Sequence, residues 1–204
     1  MFARTTIIEA RSDAVDAGVA HIRNEVMPVL RDVDGYVGLS LLADRESSRC
    51  IATTAWESAG AMRAAEGRAG RERAAKVFGG TPVVDEWEIA VMHREHRAGT
   101  GAGVRATWLR ARPEQFDQAV AFYRAEVLPS IEELEGVCSA SLMIDRTSAR
   151  AVSSVSFDSM GAMDRTRDQA RSLRTARLRD LGADQLDVGE FELVIANLRV
   201  PEMA

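Results

Sequence analysis

The stretch DGYVGLSLLADRESSR at residues 34–49 returns as EGVCSASLMIDRTSAR at 135–150, displaced by 101 positions. Gly35 falls on Gly136, Leu41 on Leu142, Asp44-Arg45 on Asp145-Arg146, and Arg49 on Arg150. Each copy holds two apolar, β-prone runs around a polar turn, DRESS or DRTSA, which is the signature of a hairpin. A chain of 204 residues that repeats itself near its midpoint reads as two copies of one supersecondary unit.

Outward from the hairpin the correspondence continues. Arg4 meets Arg105, Thr6 meets Thr107, and SAGAM (58–62) meets SMGAM (159–163). Towards the end of each copy the offset grows to 104, where VDEWEI (84–89) meets VGEFEL (188–193). Ahead of the hairpin, Val15, Val19, Ile22, Val26, Leu30 and Val33 recur every three or four residues, one face of a helix. Phe116, Val120, Tyr123, Val127, Ile131 and Leu134 repeat that stripe. Asp13 and Pro113-Glu114 suit helix starts, and Gly35 and Gly136 suit left-handed turns after the helix. A β-rich run opens each copy, a second helix follows the hairpin (58–77 and 159–181), and a last strand closes it (83–92 and 187–196). The order is βαββαβ, the ferredoxin-like arrangement, so the fold class is α+β. Residues 1–93 form the first repeat, the glycine-rich REHRAGTGAG at 94–103 a linker, and 104–204 the second repeat. Both first helices carry a proline after the same phrase, EVMP at 25–28 and EVLP at 126–129, and the expectation is a helix bend that follows the sheet twist.

The composition excludes several function classes. A net charge of −5 argues against a nucleic-acid binder, and no apolar run approaches the length of a membrane span. The N-terminal MFARTTIIEARSD lacks the apolar core of a signal peptide, so the expected compartment is the cytoplasm. Cys50 and Cys138 sit at non-equivalent places, with no CxxC and no Cys/His cluster in the sequence, so neither a disulfide nor a metal site is expected.

A βαββαβ unit carrying EVxP before the glycine, and an aromatic-acidic-Ser phrase (WES 56–58, FDS 157–159) opening the second helix, resembles the antibiotic biosynthesis monooxygenase family of the dimeric α+β-barrel superfamily. The resemblance covers nearly the whole chain twice. It implies that the two repeats form, within one chain, the barrel that such proteins form as dimers. It also implies a small-molecule pocket between sheet and helices. Family members include cofactor-independent oxygenases of aromatic polyketides, haem-degrading oxygenases and proteins without known activity. The haem-degrading members use a histidine of the second helix, and neither second helix here contains one. Haem is therefore not expected, and the cofactor expectation is none.

Cofactor-free oxygenation asks for a dry aromatic pocket and a cation or donor for the substrate anion. The candidates are Trp56 and Trp87 in the first repeat, Trp108 and Tyr123 in the second, and Arg4, Thr6 and Arg105 on the first strands. The indole donors favour the first repeat as the binding half. His21, whose counterpart is Phe122, is the candidate general base. Each residue has a structural alternative. The aromatics can be core, His21 a half-buried helix residue, and Arg4 and Arg105 partners of Glu86, Glu88, Glu190 and Glu192 across the sheet. The second helices are arginine-rich, with Arg68, Arg71 and Glu72 among their interleaved charges, which reads as a solvated face. Two functions stay open: a monooxygenase acting on a small phenolic or polyketide-like molecule, and a catalytically silent barrel that binds a ligand or serves a structural role. The expected partner is a small molecule, with no nucleic acid and no membrane, and the assembly is either a monomeric pseudo-dimer or a homodimer of it.

Overall fold

The computed structural model describes residues 1–67 and 71–203, with the side chains at 71 and 72 excepted. Arg68 and the centre of the expected 58–77 helix lie outside the described residues, as do the side chains of Arg71 and Glu72. The first repeat supplies β1 (Phe2–Glu9), α1 (Val15–His21), α2 (Met27–Arg31), β2 (Tyr36–Asp44), β3 (Arg49–Trp56), α3 (Ala59–Ala64), α4 (Arg71–Phe78) and β4 (Val83–Arg94). The second supplies β5 (Gly103–Arg110), α5 (Phe116–Phe122), α6 (Leu128–Glu132), β6 (Val137–Asp145), β7 (Arg150–Phe157), α7 (Met160–Arg165), α8 (Arg167–Leu181) and β8 (Asp184–Asn197). The strands close into an antiparallel barrel in the order β1-β3-β2-β8-β5-β7-β6-β4. The molecule is thus an α+β barrel of two βαββαβ units. No described helix is long and apolar enough to cross a membrane.

The proline phrase has a more specific meaning than a bend. Ile22–Val26 and Tyr123–Val127 are single π-helical turns, inserted between α1 and α2 and between α5 and α6. The N–H of Met27 reaches back five residues to Ile22 O, and that of Leu128 to Tyr123 O. Pro28 and Pro129 follow at once, inside the first turn of the next helix, where a missing N–H costs no hydrogen bond. Proline in a continuous helix would collide with the carbonyl four residues back; the wider π turn places it at a fresh start.

Local chemistry explains the remaining boundaries. Ser58 and Ser159 cap α3 and α7 by accepting from Ala61 N at 3.0 Å and Ala162 N at 3.1 Å, which is what the WES and FDS phrases encode. Thr166 interrupts the expected 159–181 helix: its hydroxyl donates to Met163 O, and α8 restarts behind it. Asp13 is not a cap. Ala14 holds that position without a side-chain bond, and the Asp13 carboxylate lies 3.4 Å from Arg11 Nε. Gly35 and Gly136 both have φ of +75°, as expected, but sit in the turn into the hairpin rather than against the helix end.

The chain divides into two compact units: Met1–Trp87 with Leu193–Val200, and Glu88–Glu192 with Pro201–Ala204. In the first, Leu30, Leu39, Leu41, Trp56, Met62 and Phe78 are fully buried together with Val194 and Ile195. In the second, Phe116, Leu128, Leu142, Ile144, Phe157 and Met163 form the equivalent core. Each such side chain contributes about 1.5–3 kcal/mol by leaving water.

Candidate functional site

Each unit carries a cavity between its sheet and its helices. In the first unit it measures about 90 Å³ and is lined by Arg4, Thr6, Ile8, Leu41, Trp56 and Phe78 among others. In the second it measures about 110 Å³, with Arg105, Thr107, Phe116, Tyr123, Ser153 and Phe157 on its wall and Arg174 and Arg177 reaching it from α8. Strand alternation decides which candidates arrive there. Arg4, Thr6, Trp56 and Arg105 stand on the helix-facing side of their strands, and Tyr123 reaches the second cavity from the π turn of the helix layer. Trp87 and Trp108 stand on the opposite side. Trp87 Nε1 donates to Thr5 Oγ1 at 2.8 Å, and Trp108 packs edge-on against Phe191 at 6.4 Å. Trp56 and Trp87 are therefore not brought together in one pocket. Trp56 Nε1 is itself occupied, donating to Thr54 Oγ1 at 3.0 Å.

His21 is buried but does not line the first cavity. Its Nδ1 lies 3.2 Å from Glu25 Oε1, without the alignment of a hydrogen bond, and neither ring nitrogen has such a partner. Glu25 also meets Arg73 at 2.8 Å.

Both arginines pair with a glutamate on the neighbouring strand, Arg4 of β1 with one on β4 and Arg105 of β5 with one on β8. Arg4 Nη2 donates to Glu86 Oε1 at 2.6 Å, and Arg63 adds a second contact at 3.5 Å. The bond from Arg4 holds the Glu86 carboxyl below its usual range. Arg105 Nε donates to Glu190 Oε1 at 3.0 Å, and its Nη2 donates to Met163 O at 2.9 Å. Burial pushes Glu190 upward, but hydrogen bonds from Arg167 and Arg105 outweigh it and hold the carboxyl low. The expected second glutamate does not join Arg4: Glu88 instead faces Arg146 at 3.4 Å.

The second cavity has the more directed chemistry. Arg105 is 5% exposed, and its Nη1 is buried without a hydrogen-bond partner. Its guanidinium carbon lies 5.3 Å from the centre of the Phe157 ring. Arg177 Nε is likewise buried and unpartnered. Arg174 loses some of its hold on the proton through burial and then through the nearby charges of Arg105 and Arg171. Tyr123 OH lies 2.9 Å from Ser153 Oγ, and burial pushes its hydroxyl up to about 12, so it stays a neutral donor. Among the described lining residues there is no carboxylate and no imidazole. An unpaired guanidinium N–H on an apolar, aromatic wall favours an anionic group carried on a flat apolar body. Sequence reasoning named Arg105 and Tyr123 as candidates, read Arg174 and Arg177 as part of a solvated face because α8 reaches the cavity only in three dimensions, and did not single out Ser153 on β7.

The barrel closed within one chain, with a cavity under each helix layer, defines the dimeric α+β-barrel fold, written in this chain as two tandem copies. A solved anthrone oxidase-like protein superposes with a TM-score of 0.68 at 14% identity, over 100% of this chain and 94% of that one. A ferredoxin-fold protein of Listeria monocytogenes, described as related to antibiotic biosynthesis monooxygenases, gives a TM-score of 0.52 at 11% identity over 94% and 95% of the two chains. The chain belongs to the family of the uncharacterized protein Rv2557 of Mycobacterium tuberculosis, with which it is 55% identical over 100% of its own length and 92% of the relative's. No protein-family model matches the chain.

Proposed function

We propose that the protein is a small-molecule monooxygenase of the cofactor-independent kind, acting on a phenolic or polyketide-like anion in the cavity of the second unit. The observation that carries this reading is the unpartnered Arg105 Nη1 buried in an aromatic wall. A phenolate placed there would gain a cation at its oxygen while Phe116 and Phe157 exclude water from its ring. The ionised ring is electron-rich enough to reduce dioxygen itself, so the protein's part is to bind, to favour ionisation and to keep the site dry. Arg105 binds the oxyanion; Tyr123 and Thr107 offer hydroxyls at the same wall. Arg4, Thr6 and Trp56 form the counterpart wall in the first unit, where Arg4 pairs with Glu86 but keeps a buried, unpartnered Nε, and Thr54 accepts from the Trp56 indole. His21 is left as a helix residue paired with Glu25 rather than as the base.

A second reading is favoured by the same lining: with no carboxylate or imidazole among the described residues there, the cavity suits a ligand that arrives ionised and is only held. Oxygen uptake and binding measured together on a panel of anthrones, naphthols and aromatic carboxylates separate the two. Uptake with a phenolic member that is lost in Arg105→Met supports the oxygenase. Saturable binding lost in Arg105→Met without any uptake supports the holding protein. Binding that survives Arg105→Met overturns the cavity assignment itself.

A further inference from the structure

The sequence places His96, Cys138 and Asp158 in three separate segments, and the structure brings their donor atoms within 4.8 Å of one another. His96 Nε2 lies 2.8 Å and Cys138 Sγ 3.4 Å from Asp158 Oδ1. We propose that this trio is a site for a divalent transition ion of the zinc class, independent of the cavity, which none of the three lines. A thiolate, an imidazole and a carboxylate form a borderline-soft set that such ions prefer.

Two of the three ligand edges can be set against those of a loaded site, and the third lies within 4.8 Å. Bonds of about 2.3 Å to sulfur and about 2.0 Å to nitrogen and oxygen give tetrahedral edges of roughly 3.3–3.5 Å. The sulfur–oxygen edge is already there. The nitrogen–oxygen edge needs to open by roughly 0.5 Å, which the half-exposed His96 ring can supply. The backbone fixes all three positions beforehand. Glu95 N and His96 N both donate to Cys138 O, at 2.9 and 3.2 Å, and Asp158 N donates to Gly136 O at 2.8 Å. Cys138 is also the residue skipped in the β6–β7 register, between Val137 and Ser139. A bulge of this kind turns its side chain out of the strand's alternation.

The first repeat acts as an internal control. The same bulge occurs between Tyr36 and Gly38, so the fold demands a bulge there in both copies. Its residue is Val37, however, and the positions matching Asp158 and His96 are Glu57 and Val200. A valine satisfies the architecture; the thiol, imidazole and carboxylate converge in one copy alone. Loading would release the Cys138 thiol proton and any imidazole proton to solvent and leave a fourth position for water.

The test uses the full chain, stripped with chelator, kept reduced and titrated with cobalt(II) alone. One equivalent is expected to produce the visible bands of four-coordinate cobalt and a near-ultraviolet thiolate-to-cobalt band, both removed by added zinc. Cys138→Ser should abolish the thiolate band and Cys50→Ser should keep it. His96→Ala and Asp158→Asn, at exposed positions that folding tolerates, should each weaken cobalt affinity by about tenfold or more. No thiolate band with excess cobalt, a band carried by Cys50, or unchanged affinity in both exposed variants overturns the site.

Discussion

Arg105 engages Glu190 through Nε at 3.0 Å while Nη1 of the same guanidinium has no partner. Hydrogen bonds from Arg167 and Arg105 together make the carboxylate a source of acid sensitivity. Glu190 is held below its unfolded value, so its contribution is present above roughly pH 4.3 and is lost as pH falls through the lower folded value. Arg105→Met should destabilise the chain by about 1–3 kcal/mol near neutrality, with Arg167 limiting the loss, and by less near pH 3. Denaturant melts at the two pH values check this; an equal cost at both would contradict it.

Arg4 and Glu86 offer a milder case. The Glu86 side chain is 37% exposed, and Arg63 stands by as a second partner. Arg4→Met should therefore cost only about 1 kcal/mol, and the cycle with Glu86→Gln should show a coupling of several tenths. Glu88→Gln should show none with Arg4, because Glu88 faces Arg146. Coupling to Glu88 and not to Glu86 would refute the pairing.

His93 is ringed by carboxylates. Its Nδ1 lies 2.9 Å from Glu202, and its Nε2 lies 2.9 Å from Glu132 and 3.1 Å from Glu95. Burial lowers its proton affinity, but bonds to Glu95 and Glu202 and the charges of Glu132 and Glu202 raise it overall. A raised histidine stabilises fully below its unfolded value of about 6.5, and that share vanishes as pH rises through the folded value. His93→Gln should cost roughly 1 kcal/mol near pH 5.5 and little near pH 9. Thermal melts across that range report it, and a cost that grows with pH points the other way.

A π turn is one extra residue in a helix, so it can be taken out. Deleting the exposed Asn24 should leave a folded chain only when Pro28 becomes alanine, since a regular helix there would drive the proline into a carbonyl. Circular dichroism and solubility of the deletion with and without Pro28→Ala decide it. Equal folding of both would show that the proline and the π turn are unrelated.

The hairpins, the helix stripe from Val15 to Val33 and the pairing partners of Arg4 and Arg105 were legible because periods of two and 3.6 fix which side chains share a face. The π turns were not, because Ile22–Val26 looks the same whether its bonds reach four or five residues back. Trp87 and Trp108 were legible as aromatics but not as residues outside the cavities, where alternation turns both away from the helices. Nor could spacing reveal His96, Cys138 and Asp158, which lie 42 and 20 residues apart and meet only where loop, bulge and strand end converge.

The first compact unit ends at Trp87 and resumes at Leu193, so 105 residues intervene before its last segment is made. Val194 and Ile195, which belong to its core, are synthesised only after that interval. The N-terminal segment of that unit therefore waits, incompletely covered, while the intervening residues are synthesised. The interval in which Trp56, Leu39 and Leu41 lack their final neighbours is set by translation speed rather than by the intrinsic rate of forming a sheet.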